Sequence, residues 1–141
     1  MTAEDHGGRV GIVIASHSAR LAEGTVELAA EMAGPDVRIM PAGGMADGTL
    51  GTDAQRIADA IRAADTGAGV LVLADLGSAV LSTRTALELL PAEEAARVRL
   101  SGGPVVEGAV VAAVQASIGD TLEAVLQAAE DAATLDKQTA G

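Results

Sequence analysis

His17 and Asp75 are the two residues whose types and places in this sequence could carry chemistry. His17 comes just after the apolar run at residues 10–15 and before a segment with helical spacing, and Asp75 directly follows the apolar run at residues 70–74. Each run is typical of a buried strand, and α/β proteins keep their functional groups where such strands end. The sequence therefore predicts an imidazole and a carboxylate at the carboxyl ends of two strands.

An imidazole beside a carboxylate has a defined chemical use. A carboxylate that accepts a hydrogen bond from one ring nitrogen fixes the tautomer and leaves the other nitrogen's lone pair free to attack phosphorus or take a proton. Two structural roles fit the same pattern, because His17 could cap its strand through local hydrogen bonds and Asp75 could cap the helix that begins near Ser78. The local pattern leaves both interpretations open.

Polar and glycine-rich loops are predicted beside this pair. The loops after residues 15, 40, 74 and 101 should meet along one edge of a parallel sheet. Glycine permits close backbone approach, so we expect main-chain N–H groups to converge there on an anion. Arg20 could offset the charge of that anion or pair with Glu23 or Glu27 in solvent. The candidate anion-binding residues are Ser18, Arg20, Gly43, Gly44, Gly77 and Ser78, with weaker candidates at Gly102 and Gly103.

Short apolar runs alternate with segments of helical spacing, which predicts an α/β fold with a parallel sheet covered by helices. Thr52 or Asp53 is expected to cap the second helix. The predicted strands are residues 10–15, 37–40, 70–74 and 98–101, and the predicted helices are residues 21–33, 52–64, 79–90, 106–117 and 121–134. We expect one domain over residues 9–134, with flexible tails at residues 1–8, which contain His6, and at residues 135–141.

Composition excludes several classes of function. Nine Lys and Arg against 20 Asp and Glu give a net charge of −11, which disfavours nucleic acid and anionic membranes and favours a protein partner with a basic patch. The chain has no Cys and two His, so thiolate chemistry is excluded and a multi-histidine metal site is not expected. Its first residues are unlike a secretory signal, and its longest apolar runs are too short to span a bilayer, so we expect a cytoplasmic protein.

Three stretches carry a resemblance to a known family. They are I-A-S-H-S-A-R-L-A-E-G at residues 14–24, A-D-L-G-S-A at residues 74–79 and P-V-V-E-G at residues 104–108. They resemble DhaM, the phosphotransferase subunits of PTS-dependent dihydroxyacetone kinases, whose founding domain is a mannose-type IIA (EIIA) domain. The resemblance extends from about residue 9 to about residue 131. It implies four mostly parallel strands in the order 2-1-3-4 with helices on both faces, and commonly a homodimer.

The same resemblance implies a phosphotransferase that acts as a carrier without a cofactor or metal. A histidine matching His17 accepts a phosphoryl group from phospho-HPr and passes it to ADP on the DhaL subunit. The resulting ATP phosphorylates dihydroxyacetone on DhaK, at the expense of phosphoenolpyruvate. Asp75 would orient His17, and its repulsion would keep the phosphoryl group, with roughly two negative charges, reactive. Two other hypotheses stay open: a mannose-type IIA domain for sugar uptake, and a non-catalytic module that binds an anion or a partner.

Overall fold

The computed structural model describes residues 8–140, and the predicted tail with His6 lies outside them, apart from Gly8. Four parallel strands form one sheet in the order β2-β1-β3-β4, which confirms the α/β fold expected from the sequence. The strands are β1 Gly11–Ser16, β2 Ile39–Gly43, β3 Val70–Ala74 and β4 Val98–Ser101. The helices are α1 Ala19–Ala33, α2 Ala54–Ala64, α3 Gly77–Glu88, α4 Ala92–Ala95, α5 Val105–Ser117, α6 Leu122–Asp131 and α7 Lys137–Ala140, with a 3₁₀ turn at Ala132–Thr134.

Helices cover both faces of the sheet because successive strand residues point to opposite sides. Ile12 and Ile14 of β1 pack in one apolar cluster with α1, α5 and α6, whereas Val13 packs in a second cluster with α2 and α3. The chain has no aromatic residue, and alanines such as Ala109 and Ala113 of α5 are fully buried. Small side chains at these contacts let helix and sheet approach closely, so aliphatic residues suffice for a dense core.

Several element boundaries differ from the prediction. Strand β2 was expected at residues 37–40 but runs from Ile39 to Gly43. The N–H of Ile12 bonds to the Arg38 carbonyl, and the N–H of Gly44 bonds to the Ser16 carbonyl. Because alternate residues of a strand bond to opposite neighbours, Pro41 faces the outer edge of the sheet, where its missing N–H breaks no ladder hydrogen bond. A proline therefore does not end this strand.

The helix boundaries differ by small amounts, for local reasons. Helix α1 begins at Ala19, two residues before the prediction, because Ser18 caps it. Helix α3 begins at Gly77 rather than residue 79. Of the two residues expected to cap the second helix, Thr52 and Asp53, Asp53 caps α2. Its side chain accepts hydrogen bonds from the Gln55 and Arg56 N–H groups. The four-residue α4 was not predicted, and α7 lies within residues 135–141.

An ion pair between Asp65 and Arg97 joins the end of α2 to the start of β4. Asp65 Oδ2 accepts hydrogen bonds from Arg97 Nη2 at 2.6 Å and Nε at 3.2 Å, and Asp65 Oδ1 accepts the Gly67 N–H at 2.8 Å. Burial raises the pKa of Asp65, but these hydrogen bonds outweigh it and hold the pKa below its usual value. The ionised carboxylate is thus favoured by the fold.

This pair makes stability depend on pH in a defined direction. A carboxyl group whose pKa is lower in the folded state than in the unfolded chain stabilises the fold at pH values above the unfolded pKa. This contribution to stability is lost as the pH falls through the folded pKa. We expect Asp65→Asn to lower the free energy of unfolding by about 1 kcal/mol at pH 7. The difference from the parent should shrink below the unperturbed value of 3.8. Urea unfolding at a series of pH values measures this difference in the free energy of unfolding. The control is Asp59→Asn, which changes an exposed aspartate of α2. Equal losses of stability in the two variants would contradict the prediction.

Candidate functional site

The sheet register places His17 beside Asp75. Ala15 of β1 pairs with Ala74 of β3, and the Asp75 N–H extends the ladder by donating to the Ala15 carbonyl at 3.1 Å. Both side chains therefore leave the sheet at its carboxyl edge, from adjacent central strands. The structure thus brings His17 and Asp75 together at the edge of the sheet that the apolar runs predicted.

Four donors surround the Asp75 carboxylate. Asp75 Oδ1 lies 2.9 Å from His17 Nδ1 and accepts the Leu76 N–H at 2.7 Å. Asp75 Oδ2 accepts the His17 N–H at 3.0 Å and the Ser16 hydroxyl at 2.9 Å. Burial raises the pKa of Asp75, but hydrogen bonds from His17 and Ser16 outweigh it and hold the pKa below its usual value. An ionised carboxylate only accepts hydrogen bonds, so His17 Nδ1 must carry the proton.

In the neutral ring, the other nitrogen of His17 is then a lone-pair acceptor on the open side of the site. Nε2 contacts the Ser78 Oγ, and the hydroxyl donates to it because a nitrogen without hydrogen can only accept. The His17 side chain is 27% exposed, against 13% for Asp75. A partner can thus reach Nε2, while the carboxylate behind the ring stays covered.

The amino end of α3 lies at this open side. Gly77 and Ser78 are its first two residues, and the preceding Leu76 provides no side-chain cap. The first N–H groups of a helix have no partner within it, and the helix dipole is positive at this end. Together with Ser78 Oγ on Nε2, these N–H groups form a place where an anion attached to the ring would be stabilised.

Ser18, Gly43 at the end of β2 and Gly44 after it were expected to offer donors to an anion, and the structure gives Ser18 and Gly44 other partners. Ser18 Oγ accepts the Leu21 N–H at 3.2 Å, and the Ser18 N–H donates to Ser16 Oγ at 3.0 Å. The Gly44 N–H donates to the Ser16 carbonyl at 3.1 Å. Strand alternation turns the N–H of Gly43 to the outer edge, away from β1. These residues shape the loops around His17 instead of directing donors at it.

Gly43 has a packing reason to be glycine. A Cβ there would lie 2.4 Å from the Ser18 carbonyl oxygen and 2.9 Å from Ala22 Cβ, so the start of α1 would have to move. We expect Gly43→Ala to lower the free energy of unfolding by about 3 kcal/mol. Gly24→Ala, whose Cβ meets nothing within 4 Å on α1, should instead raise it by about 0.5–1 kcal/mol. Denaturant unfolding of both variants decides this; similar effects would disprove the close contact.

Within the described residues, no hydrogen bond or ion pair joins Arg20 or the Gly102-Gly103 loop to His17. Arg20 is exposed, and within residues 8–140 the structure shows no ion pair for it with Glu23 or Glu27. The Gly102 N–H faces Glu130 Oε2 at 3.4 Å, and the Gly103 N–H bonds to Ser101 Oγ at 2.9 Å. Because β3 separates β4 from β1, this loop makes its own local contacts.

Two contacts of the site were missed by the sequence analysis. Ser16 bonds directly to Asp75, and the Gly51 N–H donates to the His17 carbonyl at 2.9 Å. The alternation of β1 places Ser16 next to a predicted site residue, and this signal could have identified it. Nothing local points to Gly51, which the β2–α2 loop brings to His17. In the part of the chain that the structure describes, no group of three or more His, Cys, Asp and Glu could hold a metal, and no helix is long and apolar enough to cross a membrane.

The chain matches one family of phosphotransferase-system components. Residues 11–126 match the family model EIIA-man, described as the PTS system fructose IIA component. The chain belongs to this family.

Its relatives narrow the class to one kind of subunit. The chain is 43% identical over 118 residues to the "PEP-dependent dihydroxyacetone kinase 2, phosphoryl donor subunit DhaM" of Listeria innocua, covering 84% of this chain and 94% of that protein. It is 46% identical over 120 residues to the phosphoryl donor subunit DhaM of Escherichia coli, where it covers 83% of this chain but only 25% of that longer protein. The crystal structure of a protein of unknown function matches with a TM-score of 0.79 and 36% identity, over 87% of this chain and 94% of the other.

Proposed function

We propose that this chain is the phosphoryl donor subunit of a phosphoenolpyruvate-dependent dihydroxyacetone kinase, a phosphotransferase component that carries the group on His17. The proposal rests on the surroundings of the two ring nitrogens of His17. Its Nδ1–H is held by Asp75, and its Nε2 is accessible beside the amino end of α3. Relatives named as phosphoryl donor subunits support the same role.

Uptake of the group is a transfer between two imidazoles. The Nε2 lone pair of His17 attacks the phosphorus of phosphohistidine on HPr, a new N–P bond forms, and the donor ring leaves with the electron pair of the broken N–P bond. His17 then carries a phosphoryl group on Nε2 and a proton on Nδ1, so its ring is a cation. Asp75 Oδ1, at 2.9 Å from Nδ1, stabilises that cation.

Release removes the positive charge from the ring. A terminal phosphate oxygen of ADP on the DhaL subunit attacks phosphorus, and the N–P electron pair returns to Nε2, which leaves a neutral imidazole. The ring lies between Asp75 and the phosphoryl group on Nε2. The attraction of the carboxylate to the cationic ring is therefore stronger than its repulsion of the more distant phosphoryl oxygens. We therefore assign Asp75 mainly to ring stabilisation and orientation rather than to repulsion.

The phosphoryl group would sit at the start of α3. Ser78 Oγ, which donates to Nε2 in this structure, would turn to a phosphoryl oxygen, and the N–H groups of Gly77 and Ser78 would neutralise part of the charge. These contacts slow loss of the group to water while leaving phosphorus open to an incoming nucleophile. Arg20 remains a candidate for the same group from the first turn of α1.

The proposed partners are phospho-HPr, as the donor, and the DhaL and DhaK subunits, as the acceptor complex. The proposed location of this transfer is the cytoplasm. The net charge of −11 supports docking of partners that present a basic patch. Leu76, next to Asp75, is 64% exposed, and Leu50, next to Gly51, is 77% exposed, so the loops that contact His17 carry apolar side chains that a partner could cover. Donor and acceptor both need Nε2 and must therefore bind in turn.

A homodimer is also proposed. Helices α1 and α5 pack side by side. A second copy could cover the large apolar side chains that they expose, which are Leu21, Leu28, Met32 and Val114, together with Ile118 directly after α5.

Reconstituted transfer tests the function. The chain is incubated with phosphoenolpyruvate, enzyme I and HPr, and we expect an acid-labile gain of one phosphoryl group, assigned to Nε2 by ¹⁵N and ³¹P NMR. Addition of ADP and the two kinase subunits should discharge it and form dihydroxyacetone phosphate. No gain would contradict a carrier and favour a non-catalytic module, whereas discharge only to a sugar permease component would favour the sugar-uptake alternative.

A further inference from the structure

Ser16 is fully buried at the end of β1, directly before His17. It is one of four buried polar residues in the described part of the chain. A buried hydroxyl needs hydrogen-bond partners to offset the loss of water. The Ser16 hydroxyl has two partners, the side-chain oxygen Asp75 Oδ2 at 2.9 Å and the backbone N–H of Ser18 at 3.0 Å.

The direction of both hydrogen bonds is determined by chemistry. The Ser18 N–H can only donate, so the Ser16 oxygen accepts there, and the ionised Asp75 can only accept, so the Ser16 proton points to Oδ2. The hydroxyl thus has one orientation. It joins the end of β1, the residue that caps α1 and the carboxylate at the end of β3.

We propose that Ser16 is a positioning residue for phosphoryl transfer, which holds the Asp75 carboxylate in the orientation that keeps the proton on His17 Nδ1. The inference rests on the proposed function of His17. Each Asp75 oxygen has two donors, and on Oδ2 one is Ser16 and the other the His17 N–H. Without the hydroxyl, rotation of the carboxylate about its Cβ–Cγ bond loses one of its restraints. The bond from Oδ1 to Nδ1 then becomes less well directed.

Ser101 provides a matched control within the same sheet. It ends β4 as Ser16 ends β1, it is 4% exposed, and its Oγ accepts the N–H two residues later, from Gly103, at 2.9 Å. No carboxylate accepts its hydroxyl within the described residues. The Ser101→Ala variant therefore removes the same local turn contact without touching the His17 pair.

The experiment compares Ser16→Ala, Ser16→Thr and Ser101→Ala in the full chain. The Nδ1–H proton resonance of His17 reports its bond to Asp75 at neutral pH. In Ser16→Ala we expect this proton to exchange with water roughly tenfold faster and the rate of phosphoryl uptake from phospho-HPr to fall roughly tenfold, as for loss of one hydrogen bond to a charged group. Carboxyl ¹³C titration should show a higher pKa for Asp75. Ser16→Thr, which keeps the hydroxyl, should restore these values, and Ser101→Ala should leave them unchanged.

The outcomes separate the inference from the proposed function. If Ser16→Ala changes neither Nδ1–H exchange nor the Asp75 titration while the parent chain takes up phosphoryl groups normally, the positioning role is overturned and the function stands. The same holds if Ser101→Ala produces equal changes, because the effect is then structural. If the parent chain takes up no phosphoryl group, the function fails, but proton exchange and titration still measure whether Ser16 orients Asp75.

Discussion

The His17→Gln variant is expected to take up no measurable phosphoryl group from phospho-HPr, a loss of more than about a thousandfold. The glutamine amide keeps a polar group near Asp75, but its nitrogen has no lone pair available for attack on phosphorus. Uptake is measured as the acid-labile mass gain after incubation with phosphoenolpyruvate, enzyme I and HPr. The fold should persist, since the His17 side chain is 27% exposed and lies outside the two apolar clusters.

The second histidine is the matched control for this loss. The His6→Gln variant removes the only other imidazole of the chain and should take up a full phosphoryl group at the parental rate. Uptake by His17→Gln with normal kinetics, or its loss in His6→Gln, would show that the reactive nitrogen lies elsewhere.

The Asp75→Asn variant is expected to slow phosphoryl uptake by about a hundredfold, the upper end for one hydrogen bond to a charged group. Asparagine is close to aspartate in size, but it has no charge to stabilise the cationic ring of phosphorylated His17. Its amide can also present an N–H to Nδ1, which would favour the tautomer with the proton on Nε2. Rapid-quench measurements of uptake from phospho-HPr and of discharge to ADP give the two rates separately.

Asp65→Asn is the control for this second variant. Asp65 is also a half-buried carboxylate with a pKa below its usual value, but it precedes β3, at the opposite edge of the sheet from Asp75. It should lose stability without loss of transfer. Unchanged uptake and discharge in Asp75→Asn would remove the carboxylate from the mechanism.

The sheet and the His17–Asp75 pair were accessible from sequence because they depend on few, local rules. Apolar runs indicated four strands, and parallel strands end at one edge, so the residues just past them were expected along that edge. The strand order, which makes β1 and β3 neighbours, came from family resemblance, since spacing alone does not order strands. Tertiary contacts determined the rest. The Gly44 N–H bonds to Ser16, and Ser18 caps α1, so loops that looked like anion donors already had partners within the fold.

Pro41 of β2 and Arg99 of β4 lie on the two outer strands of the sheet, where another copy of the chain could add a strand. The outer edge of β2 lacks a donor at its centre because Pro41 has no N–H. On the other outer strand, Arg99 is exposed and pairs with Glu123 at 2.8 Å, and exposed charge on an outer strand opposes intermolecular pairing. Each outer strand thus carries a feature that opposes strand addition by another copy of the chain: a missing donor on β2 and an exposed charge on β4.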